Sequence, residues 1–489
     1  MSIHSTGFAL AIPLLCVALP PVLLPAQDKN PGKSDPRFVS VLTPAEQKSL
    51  NDKIRAWFDA EIDLKRAEPS KREPLRKKSK DALDAVEKEW AVRSKGKGDL
   101  LKNLGDMRAI FANAVPFKSQ TGSGEVKTLK LKDVPGFSIV VPRTYRETNA
   151  YRTVVLLPGM ETDKDKKLIS PPKDWYDKTW RGADIIESTL FVLPQLDAQT
   201  EYDPMPDLSK ETDTKLEDDR IKELLAPVLG GVHEEYRMDL DRVILDAGKG
   251  TSAFALRLAT YFPSRFAGLI LRHPVEIGNF RLDTLSGMPV LLLAGQDTKA
   301  ACDQIAKQLN TLAADSCTVL EGKGGYPYFE SRTEVSDWVK KVQRDLYRTK
   351  VVLVPTSNKY KAGYWVRLGT TEPLEAVSEA ERPQFIAEAD AKENRITITC
   401  KGVGGFALTL NDALVNLDKD VTIVVNGIAN TWKAQRNLKN MVKDMVRLRD
   451  CTILFPAVYE TEVKKPEKTD PEKAEGGKKD GKSEDGAGR

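Results

Sequence analysis

Apolar residues recur at helical spacing in the first charged stretch of the chain. Ile54 and Trp57 lie three positions apart, and Leu83 and Val86 repeat that spacing after a break rich in proline and charge. This periodicity predicts two helices joined as an antiparallel hairpin over residues 40–117. Because two helices bury too little apolar surface to be stable alone, we expect the hairpin to pack on the domain that follows it in the sequence.

Short apolar runs alternate with amphipathic segments over residues 122–348. Thr153-Val-Val-Leu-Leu157 and Thr189-Leu-Phe-Val-Leu193 are typical of buried strands, and residues 221–236 have helical spacing. A regular alternation of strands and helices indicates a sheet with helices on both faces. The pattern therefore predicts a doubly wound, mostly parallel α/β domain.

The last folded part, residues 350–460, has the period-two alternation of β-strands. Phe406-Ala-Leu-Thr-Leu410 is one such run, and Asn426-Gly427 between two others predicts a tight hairpin. We therefore predict a β-rich domain. Residues 461–489 are rich in Lys, Glu and Gly and have almost nothing apolar to bury, which predicts a disordered charged tail.

An apolar run from Gly7 to Leu24 opens the chain. Ala26 offers a cleavage site before Gln27, which predicts a signal peptide over residues 1–26. We therefore expect a secreted or periplasmic protein that has no integral membrane segment after cleavage. An uncleaved membrane anchor is the alternative, although prolines inside the run disfavour a spanning helix.

The overall composition is that of a soluble globular protein with more than one domain. The chain has 489 residues, of which 40% are hydrophobic and 30% charged, and its net charge is only +4. So balanced a charge predicts no nucleic-acid partner. The cysteines downstream of the apolar run match no metal-binding spacing and leave disulfides or isolated thiols open: Cys302, Cys317, Cys400 and Cys451.

The segment 242–271 contains an apolar strand, the pentapeptide Ala247-Gly-Lys-Gly-Thr251 and a helical pattern. It resembles the nucleophile elbow of α/β-hydrolases, most closely secreted bacterial esterases of the polyhydroxybutyrate-depolymerase and dienelactone-hydrolase kind. The resemblance implies an α/β-hydrolase fold for residues 122–348 and a serine–histidine–aspartate triad. At the tip of the elbow, where the family has its serine, this chain has Lys249, and we expect a strained backbone there.

The same resemblance assigns the other positions of the site. Asp297 follows a predicted strand and takes the place of the triad's acid, whereas Tyr326 stands where the family has its histidine. The oxyanion loop corresponds to Gly159, Met160 and Gly250. A turn cap or helix cap is the alternative role for Asp297. The resemblance thus implies a degenerate triad in which only the acid is retained.

Two hypotheses of function remain. A serine nucleophile needs a neighbouring base, and no histidine follows His273, so the first hypothesis is a non-catalytic pseudo-esterase that binds a small molecule, polymer or protein. The second is an active ester or peptide hydrolase with a rearranged centre, built on Ser252 or on Lys249, His273 and Asp297. Simpler roles are a helix cap for Ser252 and an ion pair between Lys249 and Asp297. We expect neither cofactor nor metal, and the sequence alone does not decide whether the chain is an enzyme.

Overall fold

The N-terminal helical pattern forms the helices α1 (Pro44–Arg66), α2 (Arg72–Ser94) and α3 (Leu104–Ala112). A computed structural model describes residues 40–463, apart from 113, 115, 116, 118, 132, 133, 207–209, 379, 380 and 449. Helix α1 begins with a capping box, in which the Thr43 side chain accepts from the Glu46 amide and the Glu46 side chain accepts from the Thr43 amide. The predicted signal peptide, residues 1–26, lies outside the described residues.

The central domain contains one eight-stranded sheet. In chain order, its strands β1 to β8 are Val126–Leu129, Phe137–Val140, Tyr151–Leu157, Thr189–Pro194, Met238–Ala247, Gly268–Arg272, Val290–Ala294 and Cys317–Glu321. They lie in the order β1-β2-β4-β3-β5-β6-β7-β8. Strands β1 and β2 pair antiparallel and β2 pairs antiparallel with β4, whereas every later pairing is parallel. This order is that of the α/β-hydrolase fold, which confirms the predicted fold class.

Helices cover both faces of this sheet, so its inner strands are buried throughout. One apolar cluster includes Leu256 and Ile305 on one face, and a second includes Trp175 and Val335 on the other. Every residue of β3 is buried, as expected for a parallel strand covered on both sides. The helices are α4 (Pro172–Thr179), α5 (Glu211–Ala226), α6 (His233–Glu235), α7 (Ser252–Tyr261), α8 (Lys299–Leu312) and α9 (Arg332–Lys341).

The helix predicted over residues 221–236 is longer and interrupted. It begins at Glu211, and after Ala226 the chain forms a π-helical turn, Pro227–Val232, before α6. Proline has no amide hydrogen to continue the regular helical pattern, so Pro227 marks the point of change.

The C-terminal region contains two sheets and one helix, α10 (Leu438–Leu448). In chain order, its strands β9 to β17 are Lys350–Leu353, Ala362–Gly363, Val366–Leu368, Gln384–Asp390, Arg395–Lys401, Gly405–Leu410, Val421–Val425, Ile428–Trp432 and Ala457–Glu462. The four-stranded sheet has the order β10-β11-β14-β17 and the five-stranded sheet the order β16-β15-β13-β12-β9. Asn426 and Gly427 both have positive φ in the turn between β15 and β16, which confirms the predicted hairpin.

The end of β17 corrects the predicted start of the tail. Glu462 is still part of that strand, where Glu460 pairs with Ala407 of β14, so the sheet continues past residue 460. The strand includes charged residues because half of each edge strand faces solvent. The remainder of the predicted tail, residues 464–489, lies outside the described residues.

The apolar side of the N-terminal helices packs against the C-terminal sheets, which differs from our expectation, although Arg108 of α3 also pairs with Asp241 of the central domain. Residues of α1, α2 and α3 belong to the same apolar cluster as residues of the two C-terminal sheets. Arg436 of the C-terminal region also pairs with Asp99, and Lys102 pairs with Asp418. The central sheet has helices of its own on both faces, whereas the apolar side chains of α1, α2 and α3 complete the apolar cluster of the C-terminal sheets.

Two smaller features of the fold concern its cysteines and the lengths of its helices. All four cysteines named above are free thiols, and Cys302 and Cys317 are buried. Within residues 40–463 as described, no helix is both long enough and apolar enough to cross a bilayer.

Candidate functional site

The turn between β5 and α7 is the elbow indicated by the sequence. The Thr251 amide donates to the Gly248 carbonyl at 3.1 Å, which closes a turn that has Lys249 and Gly250 at its centre. Gly250 has φ of +85°, the value that the third residue of a type II turn requires. The left-handed residue is therefore Gly250, and the strain expected at Lys249 is not found. Glycine adopts this conformation without the steric penalty that a side chain would bring.

The loop after β3 is hydrogen-bonded directly to this turn. Strands β3 and β5 are neighbours at the point where the strand order reverses, which is the usual ligand crevice of a doubly wound sheet. Here the Gly248 amide donates to the Leu157 carbonyl at 3.0 Å, and the Met160 amide donates to the Lys249 carbonyl at 2.9 Å. The Met160 amide, one of the implied oxyanion donors, therefore already has an acceptor within the protein.

Tyr326 fills the space above the turn. Its hydroxyl accepts a hydrogen bond from the Lys249 amide at 2.8 Å, and its ring lies 5.9 Å from that of Trp175. A Cβ on Gly159 would lie only 2.4 Å from the same hydroxyl, so the glycine allows the close approach. Burial raises the pKa of Tyr326 well above its usual range, so the phenol stays protonated and cannot act as a general base.

The Lys249 side chain points to a partner that the sequence did not indicate. Its ammonium lies 3.1 Å from a carboxylate oxygen of Glu161, and both side chains are about half exposed. The suggested ion pair with Asp297 is therefore wrong. Glu161 follows the loop after β3 closely, and that loop is bonded to the turn, so Glu161 lies within reach of the lysine.

Asp297 pairs instead with His273. The His273 Nε2 lies 3.3 Å from an Asp297 carboxylate oxygen, and the His273 Nδ1 lies 3.2 Å from the Tyr328 hydroxyl. Burial lowers the pKa of His273, against the opposing effect of Asp297, so the ring is held towards its neutral form. The Asp297 side chain remains 72% exposed. The pair has the parts of a general base, but both ring nitrogens already have partners.

Ser252 is buried at the start of α7. The residue is 0% exposed, and its hydroxyl has no hydrogen-bond partner in the part of the chain that the structure describes. It therefore does not cap the helix, contrary to the simpler role proposed from sequence. It also has no hydrogen bond to His273, which a serine nucleophile would need.

The cap of α7 comes from Asp203, a residue that sequence reasoning missed. The Ala253 amide donates to the Asp203 carboxylate at 2.8 Å. Burial raises the pKa of this carboxyl, whereas hydrogen bonding from the amides of Ala253, Phe254 and Gly250 acts to lower it. Helix N-termini attract anions because their amides and the helix dipole point outwards. The protein therefore places one of its own carboxylates where an external anion would bind.

A buried arginine holds the segment that carries Asp203. Arg257 of α7 donates to the Tyr202 carbonyl at 2.6 Å and to the Asp203 carbonyl at 3.0 Å, and it pairs with Glu217 at 2.8 Å. Both charged side chains are almost completely buried. No short motif indicates this arrangement, although an arginine in the apolar helix pattern of α7 is a signal that a buried partner exists.

A second buried ion pair lies below the turn. Arg272 at the end of β6 binds Asp246 of β5 through two hydrogen bonds, at 2.8 and 3.0 Å, and both side chains are 0% exposed. The Trp180 indole also donates to Asp246 at 2.7 Å. Arg272 further donates to the Pro327 carbonyl at 2.9 Å and so joins the Tyr326 loop to the turn.

Taken together, these contacts leave little for acyl-transfer chemistry at the turn. An oxyanion hole needs amides that point at the position of the developing charge. The Met160 amide has the Lys249 carbonyl as its acceptor, and the Lys249 amide has the Tyr326 hydroxyl as its acceptor. Among the described residues no cluster of His, Cys, Asp and Glu is placed to hold a metal ion.

The similarities of this chain to known proteins are distant. No model of a protein family matches the chain, and no curated protein matches significantly. Several solved esterase and hydrolase structures resemble it. A thermostable esterase has 16% identity and a TM-score of 0.34, over 45% of this chain and 63% of the esterase. An S-formylglutathione hydrolase from Staphylococcus aureus has 11% identity and a TM-score of 0.32, over 46% and 98%.

A ferulic acid esterase from Anaeromyces mucronatus is similarly distant. It has 15% identity and a TM-score of 0.31, over 46% of this chain and 91% of the esterase. The part of the chain that is matched in each case is less than half of its length. Resemblances at this level carry no information about the activity of this protein.

Proposed function

We propose that this protein is a secreted binding protein on an α/β-hydrolase-type scaffold, and that it does not hydrolyse esters by a serine–histidine–aspartate mechanism. The observation that carries the proposal is the closed turn after β5. The Lys249 amide donates to Tyr326, and the Lys249 carbonyl accepts from Met160, so the groups around the tip bind one another.

The cap at the start of α7 supports the same proposal. The Asp203 carboxyl group accepts from the Ala253 amide, so an amide that an external anion would meet at this helix terminus is already bonded within the protein. Catalysis of acyl transfer depends on donors that point at the charge that develops in the transition state, and a donor with an internal acceptor does not supply this.

The test is ester turnover by the full-length purified protein, together with labelling by a fluorophosphonate. We expect hydrolysis of p-nitrophenyl acetate and butyrate at the buffer rate and no labelling, with a known serine hydrolase as the positive control. Turnover by the unmodified protein that disappears in Ser252→Ala would contradict the proposal, because it would identify a working serine.

One observation favours a second candidate, a hydrolase that uses His273 and Asp297. The 3.3 Å contact between them resembles the orientation of a base by an acid. The same ester assay with His273→Gln decides this case. Turnover that depends on His273 but not on Ser252 would support the second candidate, whereas background rates in all three proteins would contradict it.

Secretion has its own test, which does not depend on the chemistry of the turn. We expect the full-length chain, expressed in a bacterial host, to be found outside the cytoplasm with a mature N-terminus at Gln27, as the apolar run and Ala26 indicate. Recovery of an unprocessed chain from the membrane fraction would instead favour the anchored alternative.

A further inference from the structure

Strand β16 (Ile428–Trp432) is an open edge of the five-stranded C-terminal sheet. In the part of the chain that the structure describes, it pairs with β15 alone, so no strand lies along its other side. Its first four residues are exposed, and Trp432 is partly exposed. An open edge offers backbone amides and carbonyls to another strand, and proteins usually protect such edges with charged residues or keep them very short.

The other sheet edges are protected in this way, whereas β16 is not. Across the three described sheets, the edge strands β1, β8, β9 and β17 each contain a Lys or a Glu, and β10 has only two residues. Strand β16 has the sequence Ile-Ala-Asn-Thr-Trp, without charge or proline. This contrast favours an edge that is kept available for pairing.

The hydrogen bonds of β15 indicate which of its backbone groups face β16. The Thr422 amide donates to the Asn394 carbonyl at 3.0 Å, towards β13. The Asn426 amide, directly after β15, donates to the Ile398 carbonyl of β13 at 2.9 Å. Because consecutive residues of a strand direct their backbone groups to opposite sides, the odd-numbered residues of β15 bond to β16.

The open side of β16 is therefore defined by two residues. Ile428, Asn430 and Trp432 lie opposite the odd-numbered residues of β15 and bond to them. The amides and carbonyls of Ala429 and Thr431 consequently point to the open edge. A second copy of the same strand matches this pattern when it runs antiparallel, since Ala429 of each copy then lies opposite Thr431 of the other.

The same two-fold register brings apolar side chains together. Ile428 is 59% exposed, more than any other large apolar side chain that the structure describes. It shares a face of the sheet with Trp432 and with buried Val421, because directly opposite residues point to the same face. In the two-fold register, Ile428 of one copy lies opposite Trp432 of the other. Pairing of the two edges thus covers this exposed side chain.

We propose that β16 pairs antiparallel with β16 of a second copy of this chain, about a two-fold axis at Asn430. Such a pairing occupies both edges and closes the assembly at a dimer. Residues 464–489 of the chain are a poor alternative occupant, because they contain no Val, Ile, Leu or aromatic residue of the kind that strands favour. One pair of short strands buries less than a standard interface, so the dimer depends on protein concentration. The inference is independent of the proposed binding function.

The test is sedimentation velocity of the full-length protein over a range of concentrations, in which the dimer fraction should rise with concentration. Asn430→Lys places two ammonium groups opposite each other at the two-fold axis and should raise the dissociation constant of the dimer about fivefold. Thr397→Lys adds the same charge at an exposed position of the inner strand β13 in the same sheet. This matched control should leave the dissociation constant unchanged.

Asn430→Asp is a second variant that tests the register. Alone it should dimerise as weakly as Asn430→Lys, because two carboxylates then meet at the axis. An equimolar mixture of the two variants should dimerise more tightly than either alone, since opposite charges then face each other. Both variants should keep the far-ultraviolet circular dichroism of the unmodified protein, because Asn430 is exposed.

Three results would each overturn the proposal. The first is an unmodified protein that stays monomeric at every concentration. The second is a dimer that Asn430→Lys weakens no more than Thr397→Lys does. The third is a mixture of Asn430→Lys and Asn430→Asp that dimerises no more tightly than the separate variants. None of these results bears on ester turnover, so the proposed function is tested separately.

Discussion

The two ends of helix α7 differ in how closely the surrounding chain packs against them. At its N-terminal end, the Lys249 amide, the Met160 amide and the Ala253 amide all have acceptors within the fold, although the buried Ser252 hydroxyl has no partner in the described structure. Along its later turns, the helix borders a cavity of about 380 Å³ that is lined by Arg257, Tyr261 and Thr356 among others. The comparison teaches that the place where this fold family has its nucleophile is closed by contacts of the fold itself, whereas open space lies further along the same helix.

Buried polar groups lie at both regions of the same helix. At its start, the Asp203 carboxyl group accepts from the Ala253 amide and caps the helix. Arg257, further along, lines the cavity and is paired with Glu217. The fold therefore supplies internal partners for these groups in both regions.

The largest effect is expected from breaking the ion pair below the turn. Arg272→Met leaves the Asp246 carboxylate fully buried with the Trp180 indole as its remaining donor, and should lower the free energy of unfolding by about 3–5 kcal/mol. Urea denaturation measures the change. Lys173→Met, which removes an exposed pair with Asp177, is the control and should change stability by less than about 1 kcal/mol. Equal losses in the two variants would show that the turn does not depend on this pair.

Two glycines with positive φ provide a matched comparison of the turn and the cavity. Gly250→Ala places a Cβ 2.9 Å from that of Met160, in addition to the strain of φ +85°, and should cost about 2–4 kcal/mol. Gly278 in the cavity loop has φ +54° with no atom within 4 Å of an added Cβ, so Gly278→Ala should cost only about 1 kcal/mol. Urea denaturation of both variants gives the difference. A larger loss at Gly278 would reverse the comparison.

Removing one hydroxyl group from the turn and one from the cavity should have different effects on stability. Tyr326→Phe leaves the Lys249 amide without its acceptor and should cost about 1–2 kcal/mol, measured by thermal unfolding. Thr356→Val removes a hydroxyl without a partner and should leave stability unchanged or higher. If Thr356→Val destabilised the protein as much as Tyr326→Phe, its hydroxyl would have a structural partner and the comparison would fail.

The smallest effect concerns pH, and it arises at His273. Burial lowers the pKa of His273, so below its ordinary value of about 6.5 the unfolded chain binds a proton more readily than the folded protein. The contribution of this residue is therefore fully present above pH 6.5 and is lost as pH falls towards the lowered pKa. Between pH 7.5 and 5.5, the unmodified protein should lose more stability in urea than His273→Gln. Parallel losses in the two proteins would contradict this.

Local patterns in the sequence determined most of the elements. Alternation and helical spacing depend on neighbouring residues, so the strand Thr189–Pro194, the hairpin at Asn426-Gly427 and the helix Leu438–Leu448 could be predicted without tertiary information. The resemblance around residues 247–251 also predicted the turn that the structure forms there. These features are short in sequence, which is why they could be recognised.

Contacts between distant parts of the chain were decided only by the tertiary structure. Lys249 pairs with Glu161 rather than Asp297, and the amide of Ala253 is capped by Asp203, because ion pairs and caps depend on which loops meet at one edge of the sheet. The N-terminal helices pack against the C-terminal sheets, and the central sheet is covered on both faces by helices of its own. The sequence specifies which side chains are present. The tertiary structure determines which loops and faces come together, and therefore which of these side chains become partners.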